Sequence, residues 1–269
     1  MLPDPLFLNV HMYGVMVAIG VLATFTVLYL YGKKLNFSEK FSDFVFYNAL
    51  FSIVVGFGSA ALFQSVYNYI ENPDAGFHFS KSITFIGGLI GGVIFFLAVY
   101  FILKNKINGK LVQLLPLAPC AITVAHAFGR VGCFFAGCCY GIKTDSALGV
   151  VFPELGYPVH PTQLYEAAFL FVLFAVMSYL LLCRGFRHNM SVYLISYGIF
   201  RFALEFLRDD HRGALVSGIT PSQFWSVCMV VIGVALIFVM KKMINDGSMA
   251  EVELESVDTD YVGETDERE

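Results

Sequence analysis

Three observations predict an all-α membrane protein with seven transmembrane helices, its N-terminus extracytoplasmic and its C-terminus cytoplasmic. Hydrophobic residues make up 57% of the 269-residue chain and charged residues only 14%. The mean hydropathy is +0.70, a balance that water-soluble domains rarely show. Seven apolar stretches are long enough to cross, or nearly cross, a hydrocarbon core about 30 Å thick. The basic residues between them concentrate in alternate loops, as retention of Lys and Arg on the cytoplasmic side requires.

Taken in order, the first span is Tyr13 to Tyr31. The preceding NVHMYG puts His11 and Tyr13 at its outer edge, where a tyrosine either anchors the helix at the interface or offers a hydroxyl beside a reacting headgroup. The second span is Phe44 to Ile70. The third, Ile83 to Leu103, opens TFIGGLIGG, and its small residues four apart let helix backbones approach; Gly87 and Gly88 also leave room for a lipid or peptide. The fourth, Val112 to Phe135, carries the polar segment AHAFGRVGCFF. The loop Ala136 to Gln163 contains GVVFPELGYPVHP, a β-rich run bracketed by turn residues, which predicts a short hairpin or re-entrant segment. Pro161 suits a helix start, so Gln163, Tyr165 and Glu166 fall in the opening turns of the fifth span, Tyr165 to Cys183. The sixth, Val192 to Leu207, is the shortest and most polar. The seventh is Pro221 to Met240.

Ten basic residues (Lys33, Lys34, Lys40, Lys104, Lys106, Lys110, Arg184, Arg187, Lys241, Lys242) lie in the loops read as cytoplasmic, against four (Lys81, Lys143, Arg208, Arg212) in the opposite set. The first apolar run lacks a basic leader and a clear small-residue cleavage site, so no cleavable signal peptide is expected. Residues 1–243 form one membrane domain. From Asn245 onward the chain holds ten acidic residues and one arginine, a balance of −9, while the remaining 16 basic and 11 acidic residues leave +5. Residues 244–269 therefore read as an acidic, disordered cytoplasmic tail. No nucleic-acid motif is present, and topology already accounts for the basic loops.

An arginine within an apolar span costs at least a few kcal/mol, on the order of what insertion scales assign, so it faces a partner or an anion. Arg130 and His126 are four apart and share one face of the fourth span. Tyr193, Tyr197, Arg201 and Glu205 recur every four residues along the sixth. Arg201 and Glu205 could simply neutralise one another, but a single glutamate cannot neutralise Arg130, Arg201 and Arg208 together. A guanidinium offers paired donors to phosphate oxygens, and a phospholipid phosphate is the obvious anion at that depth. Cys133, Cys138 and Cys139 read as small packing residues, with a disulfide as the alternative. A metal site would need a fourth ligand such as His126 or His160, and none is expected.

Five elements in order resemble the prolipoprotein diacylglyceryl transferase family: HMYG at His11, GGLIGG at Gly87, GRVGCFFAGCCYG at Gly129, HPTQLYE at His160 and YGIFRFALEFLRDD at Tyr197. The resemblance covers almost all of the chain except the tail. It implies a multi-pass enzyme of the bacterial cytoplasmic membrane that uses no cofactor. Its partners would be phosphatidylglycerol and the signal peptides of lipoprotein precursors, and it would move a diacylglyceryl group to the lipobox cysteine thiol, releasing glycerol phosphate. Tyr13 then matches the family's essential tyrosine, Arg130 its phospholipid-binding arginine and Gly141 the glycine ending that motif. Tyr197, Arg201 and Glu205 match the polar face of the penultimate helix, with His160, Gln163, Tyr165 and Glu166 in support.

The chain departs from the family pattern at three positions. Ile86 stands where a histidine is usual, Cys133 replaces an asparagine and Cys138 a glutamate. The missing histidine is the family's proposed base. His126 is therefore the expected base here, ahead of His160 and Glu205. A paralogous lipid transferase with another acceptor, or a lipid-binding or thiol-sensing membrane protein, are the competing readings.

Overall fold

The structure is a computed structural model describing residues 11–73, 76–79, 84–208 and 220–245. Seven helices appear in it: α1 (Met12–Lys34), α2 (Glu39–Glu71), α3 (Phe85–Leu103), α4 (Ala118–Phe135), α5 (Thr162–Arg184), α6 (Asn189–Glu205) and α7 (Pro221–Asn245). Six are long and apolar enough to cross a membrane; the apolar stretch of α3, Gly87–Leu103, is shorter. The chain is a multi-pass membrane protein. The tail expected from residue 244 onward, Lys81 and Arg212 lie in part or whole outside the described residues, as does the side chain of Ile86.

The fourth span starts later than its apolar run suggests. Leu111–Leu114 form a separate turn of 3-10 helix, and α4 begins at Ala118 with a proline in its first turn. The reason is local: Pro116 has no N–H to give a helix, whereas Pro119 stands where the N–H has no intrahelical partner anyway. The loop after α4 contains the expected hairpin, β1 (Val150–Val151) paired antiparallel with β2 (Pro158–Val159).

The helices fall into two compact units. One contains α2 and α3, which meet through small residues: a side chain on Gly56 would press on the Gly88 carbonyl at 3.0 Å, and one on Gly92 would meet Ser52 O at 3.1 Å. A side chain on Gly87 would collide with Phe63, 2.7 Å from its Cγ. Gly87 and Gly88 are thus packing positions between α2 and α3.

The other unit contains α1 and α4–α7. Here α1 lies against α4, where a Cβ on Gly20 would meet Ala125 O at 3.1 Å and one on Gly132 would meet the Tyr13 ring at 3.1 Å. Helices α5 and α6 are joined by Phe169 and Phe200, stacked at 4.0 Å. Gly198 lets α6 close on α7; a Cβ there would sit 2.8 Å from Ser226 O. At the start of α6, the fully buried Asn189 donates its Nδ2 to Pro116 O at 3.1 Å and to Met177 O at 3.0 Å. One amide thereby ties three segments, in a setting where an unpaired carbonyl would be costly.

A candidate phosphate site between helices four, five and six

The site's polar groups converge because the α-helical repeat stacks residues four apart on one face. His126 and Arg130 project from α4, Tyr193, Tyr197, Arg201 and Glu205 from α6, and α5 supplies Glu166. Glu166 is fully buried and is the centre of the arrangement. Its Oε2 lies 3.0 Å from Arg130 Nε, and its Oε1 accepts a hydrogen bond from the Tyr197 hydroxyl at 2.7 Å. His126 Nε2 lies 3.5 Å from that same Oε1 and 3.3 Å from Arg130 Nε. The Tyr197 ring meets His126 edge to face at 5.2 Å and stacks on Tyr193 at 5.7 Å.

Arg201 belongs to a second, adjoining polar group. Its Nη1 donates to Glu205 Oε2 at 2.7 Å and its Nη2 to Ser222 Oγ at 3.0 Å. Thr220 completes the group by donating to Glu205 Oε1 at 2.8 Å. The pairing of Arg201 with Glu205 is the self-neutralising one that their spacing allows. The expected positive surplus of three arginines over one glutamate is reduced here, because a second carboxylate joins the set: Glu166 pairs with Arg130 and Glu205 with Arg201. Glu166, expected only in support, takes the centre of the candidate site, and the sequence reading did not name Thr220 and Ser222. The TPSQ run before the last span was a legible polar signal for the latter two, whereas nothing in HPTQLYE says which helix Glu166 faces.

The loop after α4 closes over the ends of α5 and α6. Gly141 N donates to His160 O at 2.8 Å, and Ile142 N to Leu207 O at 2.9 Å. Gly141 is required there because a side chain would collide with Leu207 O and approach Thr162 Cγ2 to 2.8 Å. Gly141 is accordingly a backbone seat for the loop. The first turn of α5 holds the loop's other end: Thr162 Oγ1 donates to Cys139 O at 2.8 Å, and the buried Gln163 donates to Cys138 O. His160 Nδ1 pairs with the Tyr165 hydroxyl at 3.1 Å. His160, Gln163 and Tyr165 therefore shape the loop, and Tyr13 lies on α1 against Gly132 with 42% of its surface exposed.

The same loop brings three thiols together. The Sγ atoms of Cys133, Cys138 and Cys139 all lie within 4.8 Å of one another, and Cys138 is exposed. Gly137 and Cys139 both adopt positive φ, 72° and 66°, a conformation uncommon for a residue with a side chain. Hydrogen bonds from Cys133 and Cys138 hold the Cys139 thiol below the ordinary thiol range, with Arg208 acting in the same direction. The three sulfurs, expected to serve as small packing groups, lie together as one set of the kind that holds a soft metal ion.

The chain has relatives along most of its length. Residues 5–239 match the family described as prolipoprotein diacylglyceryl transferase. The phosphatidylglycerol–prolipoprotein diacylglyceryl transferase of Clostridium tetani is 35% identical over 236 residues, 84% of this chain and 92% of that protein. A second such enzyme from Clostridium perfringens is 30% identical, covering 85% and 90%. The one from Pseudomonas syringae pv. syringae is 33% identical over 262 residues, covering 90% and 93%. A match over residues 5–239, with relatives up to 35% identical across most of both chains, places the chain in the prolipoprotein diacylglyceryl transferase family.

Proposed function

We propose that this chain transfers a diacylglyceryl group from phosphatidylglycerol to the lipobox cysteine of lipoprotein precursors, in the bacterial cytoplasmic membrane. The proposal includes seven spans, with α3 as the shortest, the N-terminus extracytoplasmic and the C-terminus cytoplasmic, so that the site opens toward the outer leaflet. The observation that carries the reading is the contact of Arg130 with the fully buried Glu166. Glu166 and His126 both meet the Nε edge of the guanidinium. The two Nη groups are then the donors that take a phospholipid phosphate, held in orientation from behind.

Chemically, the precursor's sulfur forms a bond to the glyceryl carbon while the bond from that carbon to the phosphate oxygen breaks. The electron pair leaves on the phosphate, and glycerol phosphate departs. Charge grows on the phosphate oxygens, where preorganised donors lower the barrier most. The attacking sulfur must be a thiolate, and His126 is the proposed proton acceptor. Its Nε2 either accepts from Arg130 Nε or donates to Glu166 Oε1. A proton arriving there exchanges the first contact for the second, coupling proton uptake to the arginine.

Tyr13 and Tyr197 are proposed to border the headgroup, and Arg201 with Glu205 to support the leaving phosphate. The test is transfer from phosphatidylglycerol to a synthetic lipobox peptide by the purified protein. A thioether-linked product that Arg130→Ala abolishes supports the reading. Absence of product from folded protein that still binds the lipid points instead to a different acceptor or a non-enzymatic role.

A further inference from the structure

We propose that Cys133, Cys138 and Cys139 form a three-thiolate zinc site whose fourth coordination position takes the precursor's thiol. The geometry comes first. Three sulfurs within 4.8 Å of one another need close by only about 1 Å to reach the spacing of about 3.8 Å set by zinc–sulfur bonds of about 2.3 Å in a tetrahedron. A disulfide would use two of the sulfurs and leave the third without a role, whereas a soft d10 ion uses all three.

The backbone holds the set from both sides. Cys133 lies in the last turn of α4, while Thr162 and Gln163 of α5 bind the carbonyls of Cys139 and Cys138. Charge also fits. Zinc with three thiolates carries a net −1, and the Arg208 guanidinium stands beside Cys139. A closed structural site would bring a fourth protein ligand. Among the described residues no histidine or carboxylate joins the three thiols, His160 has its Nδ1 paired with Tyr165, and Cys138 is open to solvent, which leaves the fourth position to an incoming thiol.

The use of that position rests on the transferase reading; the metal site itself does not. Cys133 is three residues beyond Arg130 on the same helix, so a thiol bound at the metal arrives near the phosphate donor. The precursor's S–H bond breaks as its sulfur joins the metal, which deprotonates a coordinated thiol, and the proton leaves through water to His126. The metal-held sulfur then bonds to the glyceryl carbon, and the phosphate leaves with the electron pair. No electron is gained or lost by the metal.

The full chain, purified in detergent under reducing conditions, is assayed for zinc and then titrated with Co(II) after zinc removal. About one zinc per chain is expected, falling roughly tenfold or more in Cys133→Ser and in Cys139→Ser but unchanged in Cys183→Ser. Co(II) should show a thiolate charge-transfer band that a lipobox peptide strengthens and its serine counterpart does not. Phosphatidylglycerol binding by each variant checks that it is folded.

Reduced wild-type protein without zinc and without the cobalt band overturns the site, as does a disulfide within the cluster in protein isolated without reductant. A cobalt band unmoved by the peptide overturns the use of the fourth position. Transfer by metal-free protein overturns the use of the fourth position and leaves the transferase reading standing, whereas a peptide-sensitive cobalt band without transfer keeps the metal site and its thiol and overturns the transferase reading.

Discussion

Replacing Glu166 tests the site at its centre. Its side chain is 1% exposed, and that of Arg130 is 20% exposed. The carboxylate holds Arg130 Nε at 3.0 Å and the Tyr197 hydroxyl at 2.7 Å. Glu166→Gln keeps the size and an oxygen for Tyr197 but removes the charge facing Arg130. Removing one partner of a buried pair costs about 3–5 kcal/mol, and the partial exposure of Arg130 places this one at about 3 kcal/mol. Arg130→Met in the same chain should recover about 2 kcal/mol of that loss, because the guanidinium is then no longer stranded. Unfolding of the four proteins in mixed micelles, followed by circular dichroism against a denaturing detergent, measures the coupling. In the transfer assay Glu166→Gln should lose about 10²–10³ in rate, the range for one misplaced preorganised donor. Additive single effects, or a Glu166→Gln protein as stable and active as the wild type, would refute the reasoning outright.

The remaining predictions concern the groups around that centre. His126→Ala should lower transfer by about 10²–10⁴. It should also flatten the rise in rate with pH that a base active in its neutral form produces; an unchanged profile would remove His126 from the proton step. Gly141→Ala forces a side chain against Leu207 O and Thr162, and should cost about 1–3 kcal/mol of stability, read as a lowered thermal midpoint in detergent. Asn189→Leu takes the amide donor from the Pro116 and Met177 carbonyls; Met177 keeps its helical partner in α5, so the loss at Pro116 sets a cost of about 1–3 kcal/mol. A thermal midpoint equal to wild type would show that water or another donor reaches the Pro116 carbonyl.

The helices were legible because apolar length and the 3.6-residue repeat are properties of single segments. Each of the seven apolar stretches contains one helix, and the GVVFPELGYPVHP run is the hairpin its turn residues predict. The start of α4 was misread because apolarity continues through Leu111–Leu117 while the prolines at 116 and 119 decide where a helix can begin. The pairing of Arg201 with Glu205 was legible for the same reason as the helices, since both residues sit on one face of one helix. The partner of Arg130 was not, because it comes from another helix, and a run such as HPTQLYE carries no statement of which neighbour its glutamate will meet. The thiol cluster was half legible: the C-x4-CC spacing marked it, but convergence needed the positive φ of Gly137 and Cys139, which turn the chain back on itself.

That division explains how charge is carried here. A helix can neutralise its own arginine only by placing a carboxylate one turn away, and such a pair meets a ligand with its charge already balanced. Arg201 is held this way by Glu205, with Ser222 taking a further donor. Arg130 takes its carboxylate from a different helix, and among the described residues its contacts with Glu166 and His126 lie at Nε, so the planar fork is oriented from one edge. An arginine neutralised from behind can stay charged in an apolar setting and still meet a phosphate in front. The buried glutamate on α5, rather than the number of arginines, is therefore what the proposed phosphate site depends on.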